Sequence, residues 1–291
     1  MVDLHTHSTA SDGTLTPEAL VDLAVEKHLN AIALTDHDTL AGIPGACVRG
    51  NERGVEVVPG VELSAKWEGS GQMHILGYYV DCENDYLLER LQWLREHRQQ
   101  RAQRIAARLK RLGVPISEHR IMEVAQGGSI GRPHIARVLV EAGHVGSISE
   151  AFDRYLKDGG PAYVEKAQFR YGEVIKLIRL AGGVAVLAHP ATLQLPHESL
   201  EASLKRLIRS GLQGIEAYGN HDAPAETSFY ENIGRHYGLI LTGGSDFHGA
   251  NKLGTELGEY FANGLPDTDS LLEALSQRRP ARTAGQGSSS S

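Results

Sequence analysis

Seven short apolar segments, separated by stretches with helical periodicity, limit the folds that this chain can adopt. The segments span 2–5, 31–34, 55–58, 73–80, 184–188, 214–217 and 239–242. Apolar strands that alternate with amphipathic helices favour an α/β architecture, and seven of them suggest a barrel. Thr16 and Pro17 predict one helix start, because Thr is a good N-cap and Pro is common at the first helical position.

A long helical segment interrupts this alternation between residue 84 and about residue 166. It begins with the Arg-rich stretch 86–112, whose arginines we interpret as a solvated helix face. The sequence therefore predicts a discontinuous barrel, residues 1–90 and 165–284, with a helical insertion at 91–164 that caps it. The Gly/Ser-rich tail 285–291 is predicted to be disordered.

Histidines and carboxylates concentrate at the ends of the predicted strands. In barrels built from strand–helix units, the loops that follow the strands share one face, which is where active sites lie. Residues i and i+2 of a strand point to the same side, so a His-x-His or Asp-x-His pair can serve one cluster. The residues in question are His5, His7, Asp12, Asp36, His37, Glu62, His74, His189, Asp246 and His248.

So many imidazoles and carboxylates in one pocket would be poorly solvated without cations. Mixed nitrogen and oxygen ligands suit Mn²⁺, Zn²⁺ or Fe²⁺ better than Ca²⁺. A lone His-x-His pair would be weak support for a metal site. Nine of these ten residues, all except Asp36, are candidate ligands, and together they follow six of the seven strands, which is a joint pattern. The sequence therefore predicts two or three divalent metals.

The motifs DLHTHS with SDGT, TDHD, PGVE, AHP and GSDFH, together with the His74 strand, resemble the polymerase-and-histidinol-phosphatase (PHP) family of metallophosphoesterases. The resemblance implies a distorted seven-stranded β/α barrel and up to three metals, with Mn²⁺ expected. It implies that the first metal is held by His5, His7, Glu62 and Asp246. It implies that Glu62 bridges to a second metal held by His74 and His189, and that a third is held by Asp12, His37 and His248.

Within that family, the chain is most similar to stand-alone members whose insertion carries Gly-Arg-Pro-His, here residues 131–134. This resemblance implies hydrolysis of the 3′-phosphate of nucleoside 3′,5′-bisphosphates. A planar guanidinium suits phosphate oxygens, so Arg132 is predicted to hold the second phosphate, with His134 beside it; Gly-Arg-Pro is also a common helix start. Further candidates for substrate contacts are Arg170, Asn220 and His221.

Asp36 precedes His37 and is expected to orient an imidazole or, as the alternative, to move a proton. The expected nucleophile is a water molecule activated by the metals.

Composition narrows the partners. The net charge of −7 argues against binding of long duplex nucleic acid, although short RNA stays open as a substrate. No apolar run approaches the roughly 20 residues of a membrane helix. Two cysteines and the absence of a signal-like N-terminus fit a cytoplasmic protein.

Three alternative functions stay open at this point. The first is 5′–3′ trimming of short RNA, and the second is hydrolysis of histidinol phosphate at the same metal site. The third is a non-catalytic binding module, which the complete set of nine ligand positions disfavours.

Overall fold

Strands and helices alternate along most of the chain in the computed structural model, which describes residues 1–69, 71–219, 223–260 and 268–280. The strands are β1 (Val2–Thr6), β2 (Ala31–Leu34), β3 (Glu56–Lys66), β4 (Met73–Tyr78), β5 (Phe169–Arg170), β6 (Val184–Leu187), β7 (Gly214–Gly219) and β8 (Ile240–Gly244). The α-helices are α1 (Pro17–Glu26), α2 (Ile43–Arg53), α3 (Asp85–Arg111), α4 (Glu118–Val124), α5 (Arg132–Glu141), α6 (Ile148–Ala151), α7 (Tyr171–Leu180), α8 (His197–Arg209), α9 (Pro224–His236) and α10 (Thr268–Gln277). Short π or 3-10 turns cover Phe152–Leu156, Pro190–Leu193 and Gly249–Asn251.

Seven strands form a nearly closed sheet in the order β1-β2-β3-β4-β6-β7-β8, and the two-residue β5 pairs with the end of β3. The first and last strands meet where the backbone N–H of His7 donates to the carbonyl of Phe247 at 2.9 Å. This arrangement confirms the predicted distorted seven-stranded β/α barrel. The short β5 was not predicted.

The distortion lies at β4, which runs antiparallel to both β3 and β6, whereas the other neighbouring pairs in the ring are parallel. Because β4 is reversed, its first residues lie at the same mouth of the barrel as the last residues of the parallel strands. This direction brings His74, the second residue of β4, to the ends of β1 and β6. The mouth therefore collects side chains from strands of both directions.

Strand β3 is longer than predicted. The apolar run 55–58 predicted a strand that ends before Glu62, and that boundary is wrong. Residues 60–65 pair with β4 in a continuous antiparallel ladder from Gly60 opposite Tyr78 to Ala65 opposite Met73. Glu62 thus lies within a strand, where its side chain has a fixed direction.

The barrel interior is apolar at the end opposite to the mouth. Val2, Val184 and Ile240, the first residues of their strands, are buried in one cluster with Leu271 and Leu275 of α10. Helix α10 therefore covers this end of the barrel, and it leaves the mouth as the place for polar side chains.

The remaining barrel helices pack on the outer face of the sheet. Alternation along the strands sends Leu34, Leu63 and Ile215 outward, where they join a large buried cluster with residues of α1, α2, α7, α8 and α9. Helix α1 begins as predicted, because Pro17 is its first residue and Thr16 Oγ1 accepts a hydrogen bond from Ala19 N. These helices fix the strand ends from outside.

Helices α3 to α6 lie between β4 and β5 and build a second buried cluster. The first half of α3 packs on the barrel core through Leu87, Leu91 and Leu94, whereas its second half packs on α4 and α5 through Ile105 and Leu109. The helix is therefore shared between the two cores. A helical insertion is present, and its division from the barrel at residues 91 and 164 stays a prediction. In the described part of the chain, no helix has both the length and the apolar character needed to cross a membrane.

Candidate metal centre

All nine predicted ligands converge at the barrel mouth, in three overlapping groups whose candidate ligand atoms lie within 4.8 Å of one another. Glu62 belongs to two groups, as the resemblance implied. His7 also belongs to two groups, and its place beside Asp12, His37 and His248 was not predicted. The groups are His5, His7, Glu62 and Asp246; Glu62, His74 and His189; and His7, Asp12, His37 and His248.

Glu62 occupies the middle of this cluster and is 1% exposed. Its Oε2 lies 3.1 to 3.3 Å from nitrogens of three imidazoles, and its Oε1 lies 2.6 and 3.0 Å from nitrogens of two others. The three around Oε2 are those of His5, His7 and His37, and the two around Oε1 are those of His74 and His189. One carboxylate therefore spans two adjacent positions for a cation.

The backbone at the strand ends is bent to aim these side chains. Asp38, His189 and Asp246 have φ angles of 56°, 23° and 55°. Positive φ is uncommon for residues other than glycine and costs about 1–3 kcal/mol, so it persists where the surroundings impose it. Two of these three residues are candidate ligands, and the third follows His37.

Buried polar atoms without partners test whether the cluster fits a metal. Ten buried side-chain nitrogen or oxygen atoms in the described residues lack a partner in hydrogen-bonding geometry, and six of them belong to the nine candidate ligands. Burying such groups unpaired is costly, which is why folded proteins pair almost all of them. The six are His5 Nε2, His7 Nε2, Asp12 Oδ1, His37 Nδ1, Glu62 Oε2 and His74 Nε2. These residues fit a polynuclear divalent metal site.

Protonation in the cluster follows from burial and neighbouring charge. Burial alone would raise the pKa of Glu62, but the surrounding imidazoles, with those of His37 and His74 first among them, together outweigh it and hold the pKa well below its usual range. Burial opposes charge on His7, yet the close carboxylates of Asp246 and Glu62 raise its pKa to about 10. Burial lowers the pKa of His74 to about 4. A metal that binds here must displace a proton from His7.

Asp36 lies beneath the cluster and is 1% exposed. Its carboxylate accepts hydrogen bonds from Ser8 N at 2.8 Å, Ser8 Oγ at 2.6 Å and Ser11 Oγ at 2.5 Å. These bonds fix the loop that carries Asp12. Orientation of the His37 ring, the predicted role of Asp36, stays a prediction, because the described hydrogen bonds of the Asp36 carboxylate go to Ser8 and Ser11, which we call the serine loop.

Arg132 and His134 begin α5 close to the cluster: a Cβ added to Gly131 would lie 3.3 Å from Asp12 Oδ2. Arg132 donates to the carbonyl of Leu156 at 2.9 Å and lies 2.6 Å from Asp158. His134 is buried, and its Nδ1 accepts a hydrogen bond from the N–H of Gly131 at 3.0 Å. The Gly-Arg-Pro-His segment therefore forms a helix start and also reaches the mouth.

Arg170 is exposed and lines a separate surface pocket of about 340 Å³ together with Lys66, Trp67 and Tyr171. Its role in substrate binding stays a prediction. Asn220 and His221 lie outside the described residues, as does the tail 285–291.

Glu216, which the sequence reasoning missed, lies in the middle of β7, the strand that had no candidate ligand at its end. It is 2% exposed, and its Oε1 lies 3.0 Å from His5 Nδ1. Its neighbours Ile215 and Ala217 pack outward, so strand alternation sends Glu216 into the barrel. The signal in the sequence was a single carboxylate in an apolar strand, at a position where strand alternation points the side chain into the barrel.

Four cations near the mouth form a second feature, and only Arg132 among them was predicted. We call Arg98, Arg101, Arg132 and Lys166 the cation cluster. Arg98 lies four residues after Leu94, and Arg101 lies three residues after Arg98, so both continue the apolar stripe of α3. This helical spacing was the signal that the interpretation of the arginines as a solvated face overlooked.

Lys252 completes the contacts at the mouth. Its Nζ lies 2.6 Å from Asp246 Oδ2, while Asp246 Oδ1 faces His5 and His7 at 3.3 Å. Lys252 thus engages one oxygen of this carboxylate and leaves the other to the cluster.

Two proteins of known name and one solved structure are similar to this chain over most of its length. A 5′-3′ exoribonuclease, Rnm, of Escherichia coli is 38% identical over 84% of this chain and 84% of its own length. A 3′,5′-nucleoside bisphosphate phosphatase of Chromobacterium violaceum is 35% identical over 88% of this chain and 90% of its own. A solved structure from Bifidobacterium adolescentis is 32% identical, covers 97% of both chains and superposes with a TM-score of 0.85. The family model for the PHP domain matches residues 3–213, and the chain therefore belongs to the PHP domain family.

Proposed function

We propose that this PHP protein is a divalent-metal phosphoesterase that removes the 3′-phosphate from nucleoside 3′,5′-bisphosphates. The observation that carries the proposal is the cation cluster beside the nine candidate ligands. A substrate with two phosphates matches a site with two anion-binding parts: one phosphate lies at the metals, and the other lies against the cations.

The cation cluster adjoins the metal centre through specific contacts. Arg98 Nε lies 2.5 Å from Oδ2 of Asp38. Asp38 is the residue that follows the candidate ligand His37 in the sequence. Lys166 Nζ donates to Ser64 Oγ at 2.6 Å, and Ser64 faces His74 across the β3–β4 ladder. The cations thus lie along one side of the mouth.

The cluster carries more positive charge than its described partners neutralise. Arg98 pairs with Asp38 and Arg132 with Asp158. The described hydrogen bonds of the other two cations go to neutral oxygens: Arg101 Nε donates to Val164 O at 2.7 Å, and Lys166 donates to Ser64 Oγ. Burial lowers the pKa of Lys166 to about 7, and the charges of Arg98, Arg101 and Arg132 add to that effect. A phosphate dianion would offset this excess and accept hydrogen bonds from the guanidinium forks.

The metals would be held by the nine candidate ligands, and they would supply charge neutralisation at phosphorus and a water of lowered pKa. The protein's own groups orient the substrate: the cations hold the second phosphate, which determines which ester faces the metals. Asp36 and Lys252 keep the ligand-bearing loops in place. Mn²⁺ as the metal and the cytoplasm as the compartment stay predictions.

Exoribonuclease action on short RNA is the second candidate, and the Escherichia coli relative favours it. A terminal 5′-phosphate could occupy the cation cluster while the 3′-phosphodiester lies at the metals, so both activities can use one site. Histidinol phosphate fits less well, because the cation cluster would repel its ammonium group.

The test compares adenosine 3′,5′-bisphosphate, adenosine 3′-monophosphate and a 5′-phosphorylated RNA trinucleotide as substrates of the Mn²⁺-loaded protein. The proposal predicts the highest kcat/KM for the bisphosphate, with adenosine 5′-monophosphate and phosphate as products. Release of the 5′-phosphate, or equal kcat/KM for the bisphosphate and the monophosphate, would contradict it. A higher kcat/KM for the RNA would instead favour the exoribonuclease.

A further inference from the structure

Glu216 connects two of the candidate ligands from below. Its Oε1 lies 3.0 Å from His5 Nδ1, and its Oε2 accepts a hydrogen bond from the backbone N–H of His189 at 2.6 Å. His5 and His189 belong to different groups of the metal centre. We propose that Glu216 is a positioning residue that orients His5 and His189, which would serve two adjacent metal positions; this inference rests on the proposed metal centre.

The contact with His5 determines which ring nitrogen faces the metals. Glu216 Oε1 is an acceptor in the contact with His5, so Nδ1 is the nitrogen from which the ring donates. Nε2 then has its lone pair free, and it lies 3.3 Å from both Glu62 Oε2 and Asp246 Oδ1. Metal-binding histidines are commonly held in this way by a carboxylate at the other nitrogen.

The contact with His189 holds a strained backbone. His189 has φ 23° and ψ 71°, a conformation that most residues avoid. Its N–H is fixed by Glu216, its Nδ1 lies 3.0 Å from Thr192 Oγ1, and its Nε2 lies 3.0 Å from Glu62 Oε1. Backbone and ring are therefore both restrained, and the ring is aimed at the bridging carboxylate.

Glu62 and Glu216 thus connect the same two histidines from opposite sides. Glu62 lies 3.3 Å from His5 Nε2 and 3.0 Å from His189 Nε2. Glu216 binds the far nitrogen of His5 and the main chain of His189. With both in place, the two rings stack with their centroids 5.5 Å apart.

The experiment measures Mn²⁺ affinity by calorimetry for Glu216→Gln, with Glu231→Gln as the control. A glutamine has the shape of glutamate but only one acceptor oxygen, so one of the two donors would face an NH₂ group. We expect the Mn²⁺ dissociation constant of Glu216→Gln to rise about 10- to 100-fold. Glu231 lies on α9 and accepts a hydrogen bond from Tyr218, which is on β7 like Glu216. Its replacement should leave Mn²⁺ affinity unchanged.

Excess Mn²⁺ separates positioning from a purely structural role. If Glu216 positions ligands, saturating Mn²⁺ restores most of kcat in Glu216→Gln, and the metal-free protein unfolds at nearly the wild-type temperature. Wild-type Mn²⁺ affinity in Glu216→Gln would overturn the inference. A metal-free variant that unfolds well below the wild-type temperature and does not regain kcat at saturating Mn²⁺ would also overturn it.

A measurement on the unaltered protein keeps the inference testable if the variant does not fold. In ¹⁵N-histidine-labelled protein loaded with diamagnetic Zn²⁺, and with His5→Gln for assignment, the His5 ring should carry its proton on Nδ1. A proton on Nε2 of His5 would overturn the inference. Mn²⁺ binding without nucleotide hydrolysis would count against the proposed function but not against the role of Glu216.

Discussion

Replacement of Lys166 by methionine tests the cation cluster most cleanly. Lys166 has Ser64 Oγ as its described hydrogen-bond partner, so its removal breaks little else in the described structure. A hydrogen bond to a charged group contributes about 1.5–3 kcal/mol, and each 1.36 kcal/mol corresponds to tenfold in rate. Lys166→Met should therefore lower kcat/KM for adenosine 3′,5′-bisphosphate by about 10- to 100-fold.

The assay compares this loss with that for adenosine 3′-monophosphate, which lacks the second phosphate and should lose less than about threefold. Lys157→Met is the matched control, because Lys157 is an exposed insertion lysine whose contact is with Asp153 of the same turn. It should leave both substrates unaffected. Equal losses for both substrates in Lys166→Met would show that Lys166 does not bind the second phosphate.

Thermal unfolding of Lys166→Met gives an independent check. The charges of Arg98, Arg101 and Arg132 lower the pKa of Lys166, after the larger effect of burial. Removal of Lys166 relieves this repulsion, so the unfolding temperature should not fall. A fall of several degrees would show that Lys166 stabilises the fold instead of binding substrate.

Four other measurable properties depend on single residues of the site and the core. KM for the bisphosphate should rise with pH above about 7, where Lys166 loses its charge, and Lys166→Met should abolish this rise. A flat pH profile of KM in the wild-type protein would argue against binding of the phosphate by Lys166. Mn²⁺ affinity should increase from pH 6 to 8, by about a factor of ten per pH unit for each proton released. The reason is that the pKa of His7 is raised to about 10, so its proton must leave when a metal binds. Calorimetry in buffers of different ionisation enthalpy would detect that proton. Asp36→Asn should weaken the serine-loop hydrogen bonds and cost about 1.5–3 kcal/mol of unfolding free energy, with unchanged denaturant midpoint as the contrary result. Leu275→Ala should lower the free energy of unfolding by about 2–5 kcal/mol, because it leaves a cavity at the closed end of the barrel. The folded fraction should keep wild-type activity, and lost activity in folded protein would contradict the separation of the two ends.

The strand ends were predictable from the sequence because their chemistry is local. His5 and His7 follow one apolar run, Asp246 and His248 follow another, and strand alternation places each pair on one side. The convergence of these pairs follows from the barrel, in which the parallel strands all end at the same mouth.

Pairings between distant segments were not predictable in the same way. The reversed direction of β4 and the extension of β3 through Lys66 depend on a ladder between two strands, and hydrophobic periodicity does not encode the direction of a partner. The extra strand β5 contains two residues, which is too short for a periodic pattern.

The cation cluster was missed for a related reason. An arginine on a helix is usually solvated, so Arg98 and Arg101 were interpreted by residue type. In the fold, the phase of α3 turns both toward the mouth, where Lys166 arrives from the end of the insertion. Residue phase was more informative here than residue type.

An anomalous difference map from a Mn²⁺-soaked crystal would show whether cations occupy the barrel mouth. We expect two or three peaks there, one of them within about 2.5 Å of an oxygen of Glu62, with phosphate-release activity that chelation abolishes and Mn²⁺ restores. A map without a peak among His7, Glu62, His189 and Asp246, together with full activity after removal of all divalent ions, would contradict it.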